Sequence, residues 1–112
     1  MTVADIERRA RRILLDTEDP YRWQKDDIRD ALQEGVYELN KIRPETRYVD
    51  GMLLDAIELP EDDDAKIDVE NRFLEALVCF VVAKCYQTDD ADTVNSNLSE
   101  LYYSKFTAKA QL

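Results

Sequence analysis

The residues in this chain that could do chemistry are few, and their spacing says more about burial than about catalysis. None of the 112 residues is histidine, which removes the usual general base and the commonest metal ligand. The two cysteines, Cys79 and Cys85, lie six apart. On one helix six residues turn by about 600°, so the thiols point about 120° apart at different heights, and no disulfide between them is expected. The run that holds them is mostly Phe, Val and Ala, a poor setting for an activated thiolate. Buried free thiols in a reducing cytosol are the plain reading. Glu61, Asp62, Asp63 and Asp64 form an acidic run. It lacks the alternating ligands and the glycine of an EF-hand loop, so it reads as a solvated loop rather than a cation site. Arg8, Arg9, Arg11 and Arg12 form a basic cluster, with Asp5, Glu7, Asp16, Glu18 and Asp19 close enough in sequence to offset it. It reads as an ion-paired helix face; if it docks, it docks on an acidic protein rather than on DNA. There is no nucleophile elbow, phosphate loop, dinucleotide fingerprint or CxxC motif. The expectation is a protein that is not an enzyme and takes no cofactor or metal.

The elements that position these residues read as an all-α fold, a single helical domain over 1–112. Two glycines and three prolines favour helices over a turn-rich sandwich. A helix is expected over 3–16, with Thr2 and Asp5 as a capping box. Val3, Ile6, Ala10, Ile13 and Leu14 form its apolar stripe, and the arginines lie opposite. The second helix is expected over 25–42. Trp23 and Ile28 have the spacing of a hydrophobic staple, and Ile28, Leu32, Val36, Leu39 and Ile42 line one face. Gly35 interrupts that face, a cost of about 1 kcal/mol against Ala that suits close approach of another backbone. The third helix, over 68–86 and capped by Asp68, has no charged residue from 76 to 83. A helix apolar on every side must be surrounded, so it is the expected central post of a small four-helix bundle. A fourth helix is expected over 91–109, with Val94, Leu98, Leu101, Tyr102 and Phe106 at helical spacing. Between helices two and three, 43–66 reads as a long extended or hairpin connection, with a strand or hairpin over 52–59. Long connections often carry function, and this one is expected to reach toward a neighbour. The expected core is Trp23, Ile28, Leu32, Val36, Leu39, Phe73, Leu77, Phe80 and Val81. The surplus of aromatics at Tyr102, Tyr103 and Phe106 marks a candidate interface.

The net charge is −10, and it is unevenly spread. Residues 1–48 carry ten basic and eleven acidic side chains, whereas 49–112 carry five and fourteen. Such a balance repels nucleic acid and anionic lipid. The chain opens on a polar amphipathic segment rather than a secretory signal, and its apolar run is shorter than the ~20 residues a bilayer span needs. No membrane association is expected.

The order of these features resembles a known family. Residues 13–23 read Ile-Leu-Leu-Asp-Thr-Glu-Asp-Pro-Tyr-Arg-Trp. An acidic helix start, Gly35 in mid-helix and Ile42-Arg43-Pro44-Glu45 follow. After an extended stretch ending in Leu59-Pro60 come two closing helices, with Tyr102-Tyr103-Ser104-Lys105-Phe106 near the end. Nearly the whole chain, in this order, resembles the small helical head-to-tail adaptor (connector) proteins of tailed bacteriophages. It departs from them at Gln24, where similar proteins place a Ser or Thr cap, and in its more acidic second half.

The resemblance implies a structural virion protein, made in the host cytoplasm and built into the neck between head and tail. It implies a ring of copies, expected to be a dodecamer, seated beneath the portal protein and offering a platform to a stopper or tail protein. DNA would pass through the channel without specific binding. On that reading Glu61, Asp62, Asp63 and Asp64 are candidates for the channel lumen. Arg8, Arg9, Arg11, Arg12, Tyr102, Tyr103 and Phe106 are candidates for portal or subunit interfaces, with the last helix docking on the portal. The competing readings are an acidic DNA mimic and a small helical protein-interaction module.

Overall fold

The computed structural model describes residues 1–88 and 93–112, with the side chains of Thr93 and Val94 left out. The chain is mostly helical, with four α-helices and one two-stranded hairpin among the described residues. Helix α1 (Val3–Leu14) starts as its sequence dictates. Thr2 Oγ1 accepts from the Asp5 N–H, and Asp5 Oδ2 accepts from the Thr2 N–H, each at 3.1 Å. Val3, Ile6, Ala10 and Leu14 are buried, whereas Ile13, expected in the same stripe, is exposed. The helix stops short of the expected residue 16. Leu15 turns into the left-handed region at φ 57°, and the Leu15 and Asp16 N–H groups close back on the Arg12 and Arg11 carbonyls. That is the hydrogen-bond pattern of a Schellman end.

Helix α2 (Lys25–Ile42) has the expected bounds. The Asp27 carboxylate accepts from the Gln24 N–H at 3.3 Å, so the start is held despite the missing Ser or Thr. Gly35 does mark a close approach, but by a side chain rather than a backbone. A Cβ at Gly35 would lie 2.9 Å from Cδ1 of Phe80.

Helix α3 (Leu74–Thr88) packs against α1, α2 and α4, and every residue from 76 to 83 is buried. It begins later than expected. Asp68 is exposed and caps nothing, because Ile67 and Val69 are buried while Asp68 and Glu70 face solvent. That alternation belongs to an extended segment, and a 3-10 turn at Asn71–Phe73 leads into α3. Helix α4 (Thr93–Ala110) returns antiparallel along α3. Ser99 Oγ donates to the Ala83 carbonyl at 2.8 Å, and Lys109 reaches Glu75 at 3.3 Å. The expected start of this helix at residue 91 and the placing of Val94 on its apolar face lie outside the described residues. Leu101 of that face is exposed. The nine expected core residues, from Trp23 to Val81, are all buried.

The 43–66 connection is a strap laid along α2. A 3-10 turn at Pro44–Arg47 leads into β1 (Tyr48–Val49), which pairs antiparallel with β2 (Met52–Leu53). Asp50 at φ 49° and Gly51 at φ 82° make the turn between them, the Asp-Gly chemistry that two-residue hairpins prefer. The hairpin therefore spans 48–53, earlier than the expected 52–59. Two side-chain amides of α2 hold the return path. Gln33 donates to the Ile57 carbonyl at 2.9 Å and accepts from the Leu59 N–H at 2.8 Å. Asn40 donates to Thr46 Oγ1 at 2.8 Å and accepts from the Ile57 N–H at 3.0 Å. With Ile57 buried beneath them, the Ile57 backbone groups and the Leu59 N–H have partners outside the hairpin's sheet.

Candidate functional site

The four arginines of α1 do not form one exposed face. Arg8, Arg9 and Arg12 are exposed, and Arg8 pairs with Asp5 at 3.2 Å. Arg11 is 5% exposed and belongs to the interior. It is therefore no simple interface residue. Asp16, which the Schellman end tucks under the helix, draws the guanidinium inward. Its Oδ2 meets Arg11 Nη1 at 2.7 Å, and Glu7 meets Arg11 Nε at 3.0 Å. The same Asp16 carboxylate accepts from the Arg22 and Trp23 N–H groups at 2.7 and 3.1 Å. It thus fixes the α1–α2 loop and seats Trp23, whose indole N–H reaches the Cys85 carbonyl on α3 at 3.1 Å.

The acidic run is not uniformly free. Asp63 is tied to α2 by Lys25 at 2.6 Å and by Arg29, and its carbonyl accepts from the Ala4 N–H of α1 at 3.1 Å. The Lys25 hydrogen bond, helped by the nearby positive charges, holds the Asp63 carboxyl below its ordinary pKa. Glu61, Asp62 and Asp64 remain exposed around that anchor.

The aromatics of α4 divide. Phe106 is buried, edge-on to Phe80 at 5.0 Å between ring centres, and is no interface residue. Its place on the α3-facing side of α4 puts it in the core. Tyr102 is half-buried against Tyr86, while Tyr103 is exposed above Phe80. Tyr103 rims a groove of 720 Å³ between α2 and α4, floored by Phe80 and Ala83.

The most apolar exposed segment is the hairpin, which lies within the connection expected to reach toward a neighbour. Tyr48, Met52 and Leu53 are 60–65% exposed, and Leu54 follows them into solvent. The signal was present as Asp50-Gly51 between two apolar pairs. What periodicity could not supply is that only Val49 of the hairpin packs against the core, leaving Tyr48, Met52 and Leu53 in solvent.

Among the described residues no cluster of three or more His, Cys, Asp or Glu could hold a metal ion. Cys79 and Cys85 are free and buried. Burial pushes both thiols up, Cys85 to about 12. Both are therefore expected to react with Ellman's reagent at pH 7 at least ~100-fold more slowly in the folded chain than in guanidinium. Rapid labelling of either cysteine without unfolding would contradict their burial. No helix among the described residues is long and apolar enough to cross a membrane.

No protein-family model, curated protein or solved structure matches this chain.

Proposed function

We propose that this chain is a structural assembly protein, a ring-forming head-to-tail adaptor of a tailed-phage virion. Its bundle around the central helix α3 would be the rigid body of each copy. The portal protein and a stopper or tail protein would be its neighbours, and DNA would pass without adhering to a chain of net charge −10. The observation that carries the reading is the hairpin. Tyr48, Met52, Leu53 and Leu54 form a protruding apolar surface of the kind that marks a protein contact. Such a surface favours assembly over DNA mimicry, which would need a continuous acidic face. The test is negative-stain imaging of the purified chain across a concentration series, alone and with a candidate portal, beside Met52→Asp and Leu53→Asp variants. Rings, or an added layer on the portal, are expected from the native chain. The variants are expected to weaken assembly at least ~10-fold with stability within about 0.5 kcal/mol of native. A chain that stays monomeric at every concentration and ignores the portal would overturn the adaptor reading.

A further inference from the structure

One group in the interior has a donor left over. Arg11 spends Nε on Glu7 and Nη1 on Asp16, but its buried Nη2 has no hydrogen-bond partner. A buried charged donor without a partner is costly and calls for an explanation. Arg11 lines a cleft of 350 Å³ along α1, together with Ala4, Glu7, Arg8, Arg12, Thr17 and Tyr21. The guanidinium stacks on the Tyr21 ring, 4.1 Å from its centre, so it is held in place at the cleft. Arg12 is exposed and in no ion pair among the described residues. Thr17 and Tyr21 add hydroxyls that can donate. Glu7 is the one carboxylate in the lining, and it is engaged by Arg11. The cleft thus offers donors suited to a carboxylate.

The complementary group stands on the same chain. Asp63 is clamped to α2 and to the first turn of α1, while Glu61, Asp62 and Asp64 are exposed beside it. The acidic turn meets the first turn of α1 at Ala4, where the cleft begins, and Arg8 and Arg12 stand about one and two turns further along the helix. Two different complementary patches on one molecule make a head-to-tail contact, which closes into a ring when the rotation allows.

We propose that the α1 cleft receives the acidic turn around Asp63 of a second copy of this chain, through the exposed Arg12 and Arg8, with Arg11 held behind them as buried positive charge. This rests on the assembly reading above and names the contact between neighbouring copies. It sets the acidic turn at the subunit boundary instead of on the channel wall.

The experiment compares four full-length chains by sedimentation and negative stain, in 50 and 500 mM NaCl, with the candidate portal present and absent. They are the native chain, Arg8→Glu/Arg12→Glu, Glu61→Lys/Asp62→Lys/Asp64→Lys, and the chain carrying all five changes. Arg11 and Asp63 are left intact because they hold the fold. Each partial swap is expected to weaken self-association at least ~10-fold, the five-fold swap to restore it, and high salt to weaken the native contact. Assembly unchanged by the arginine swap, or no rescue in the combined chain, overturns the proposal while leaving the adaptor reading standing. If no chain assembles, the adaptor reading fails, and the cleft is read directly by fluorescence anisotropy of a labelled synthetic peptide of residues 58–68. Peptide binding that Arg8→Glu/Arg12→Glu abolishes supports the cleft assignment. Absence of peptide binding, or binding of inorganic phosphate or a DNA oligonucleotide in its place, overturns it.

Discussion

Replacing Asp16 with Ala is expected to cost about 3–5 kcal/mol, the range for stripping the partner from a buried charge. Three losses coincide there. Arg11 Nη1 loses its 2.7 Å partner, and the Arg22 and Trp23 N–H groups lose their acceptor. Arg11, already holding one unsatisfied nitrogen, becomes a buried cation balanced by Glu7 alone. A domain of this size commonly has only ~5–15 kcal/mol of total stability, so the melting temperature is expected to fall by more than about 10 °C. The Trp23 indole, freed from the Cys85 carbonyl, should report the change as altered fluorescence before global unfolding. The companion Arg11→Met/Asp16→Ala chain removes both charges and is expected to recover part of the loss. Urea titrations of the two single variants and the double variant measure this. A cost below about 1 kcal/mol for Asp16→Ala would mean that solvent replaces the carboxylate at little expense, and the interior reading of Arg11 would be wrong.

The second large effect is expected at the crossing of α2, α3 and α4. Phe80→Ala should cost about 3–5 kcal/mol through the cavity it leaves. The ring is edge-on to Phe106 at 5.0 Å, is overlain by Tyr103 at 6.2 Å and lies against Gly35, and the one flexible side chain over it, Lys84, is charged and fills an apolar cavity poorly. The same geometry settles the sign of Gly35→Ala. Helix propensity would favour Ala by about 1 kcal/mol. The new methyl would lie 2.9, 3.1 and 3.3 Å from Cδ1, Cγ and Cβ of Phe80, and overpacking of that kind typically costs about 1–3 kcal/mol. The Phe80 ring is held by its other contacts, so net destabilisation is expected. Because the residues touch, the costs should not add. Gly35→Ala in a Phe80→Leu background is expected to be milder than in the native chain, by about 0.5 kcal/mol or more. Strict additivity in denaturant titrations would show that Gly35 is retained for some reason other than Phe80.

Elements governed by local rules could be read from the sequence. The Thr2–Asp5 box, the bounds of α2 and the burial of α3 each follow from neighbouring residues or from periodicity. Elements decided by distant partners could not be read. Arg11 sits one residue from Arg12 and in the same basic cluster, and its burial depends on Asp16 being carried inward by the turn at Leu15. Asp68 has the right chemistry for a cap, yet the buried pair Ile67 and Val69 keeps the backbone extended for several residues more. Asp63 differs from its three acidic neighbours through Lys25 and Arg29, 38 and 34 positions away. The candidate surfaces were legible to a lesser degree. Of the aromatic candidates Tyr103 is exposed and Phe106 belongs to the interior, and the expected hairpin falls at 48–53 instead of 52–59 because alternation says nothing in a strand of two residues.

Asn40 grips both feet of the hairpin at once, Thr46 on the outgoing side and Ile57 on the returning one. A projecting segment fixed in this way has surrendered its conformational freedom when the chain folded. A partner meeting Tyr48, Met52 and Leu53 therefore has little ordering left to impose, and more of the free energy of burying them goes into affinity. Docking on such a protrusion is a rigid-body encounter, with an on-rate set by diffusion and orientation rather than by the folding of a loop.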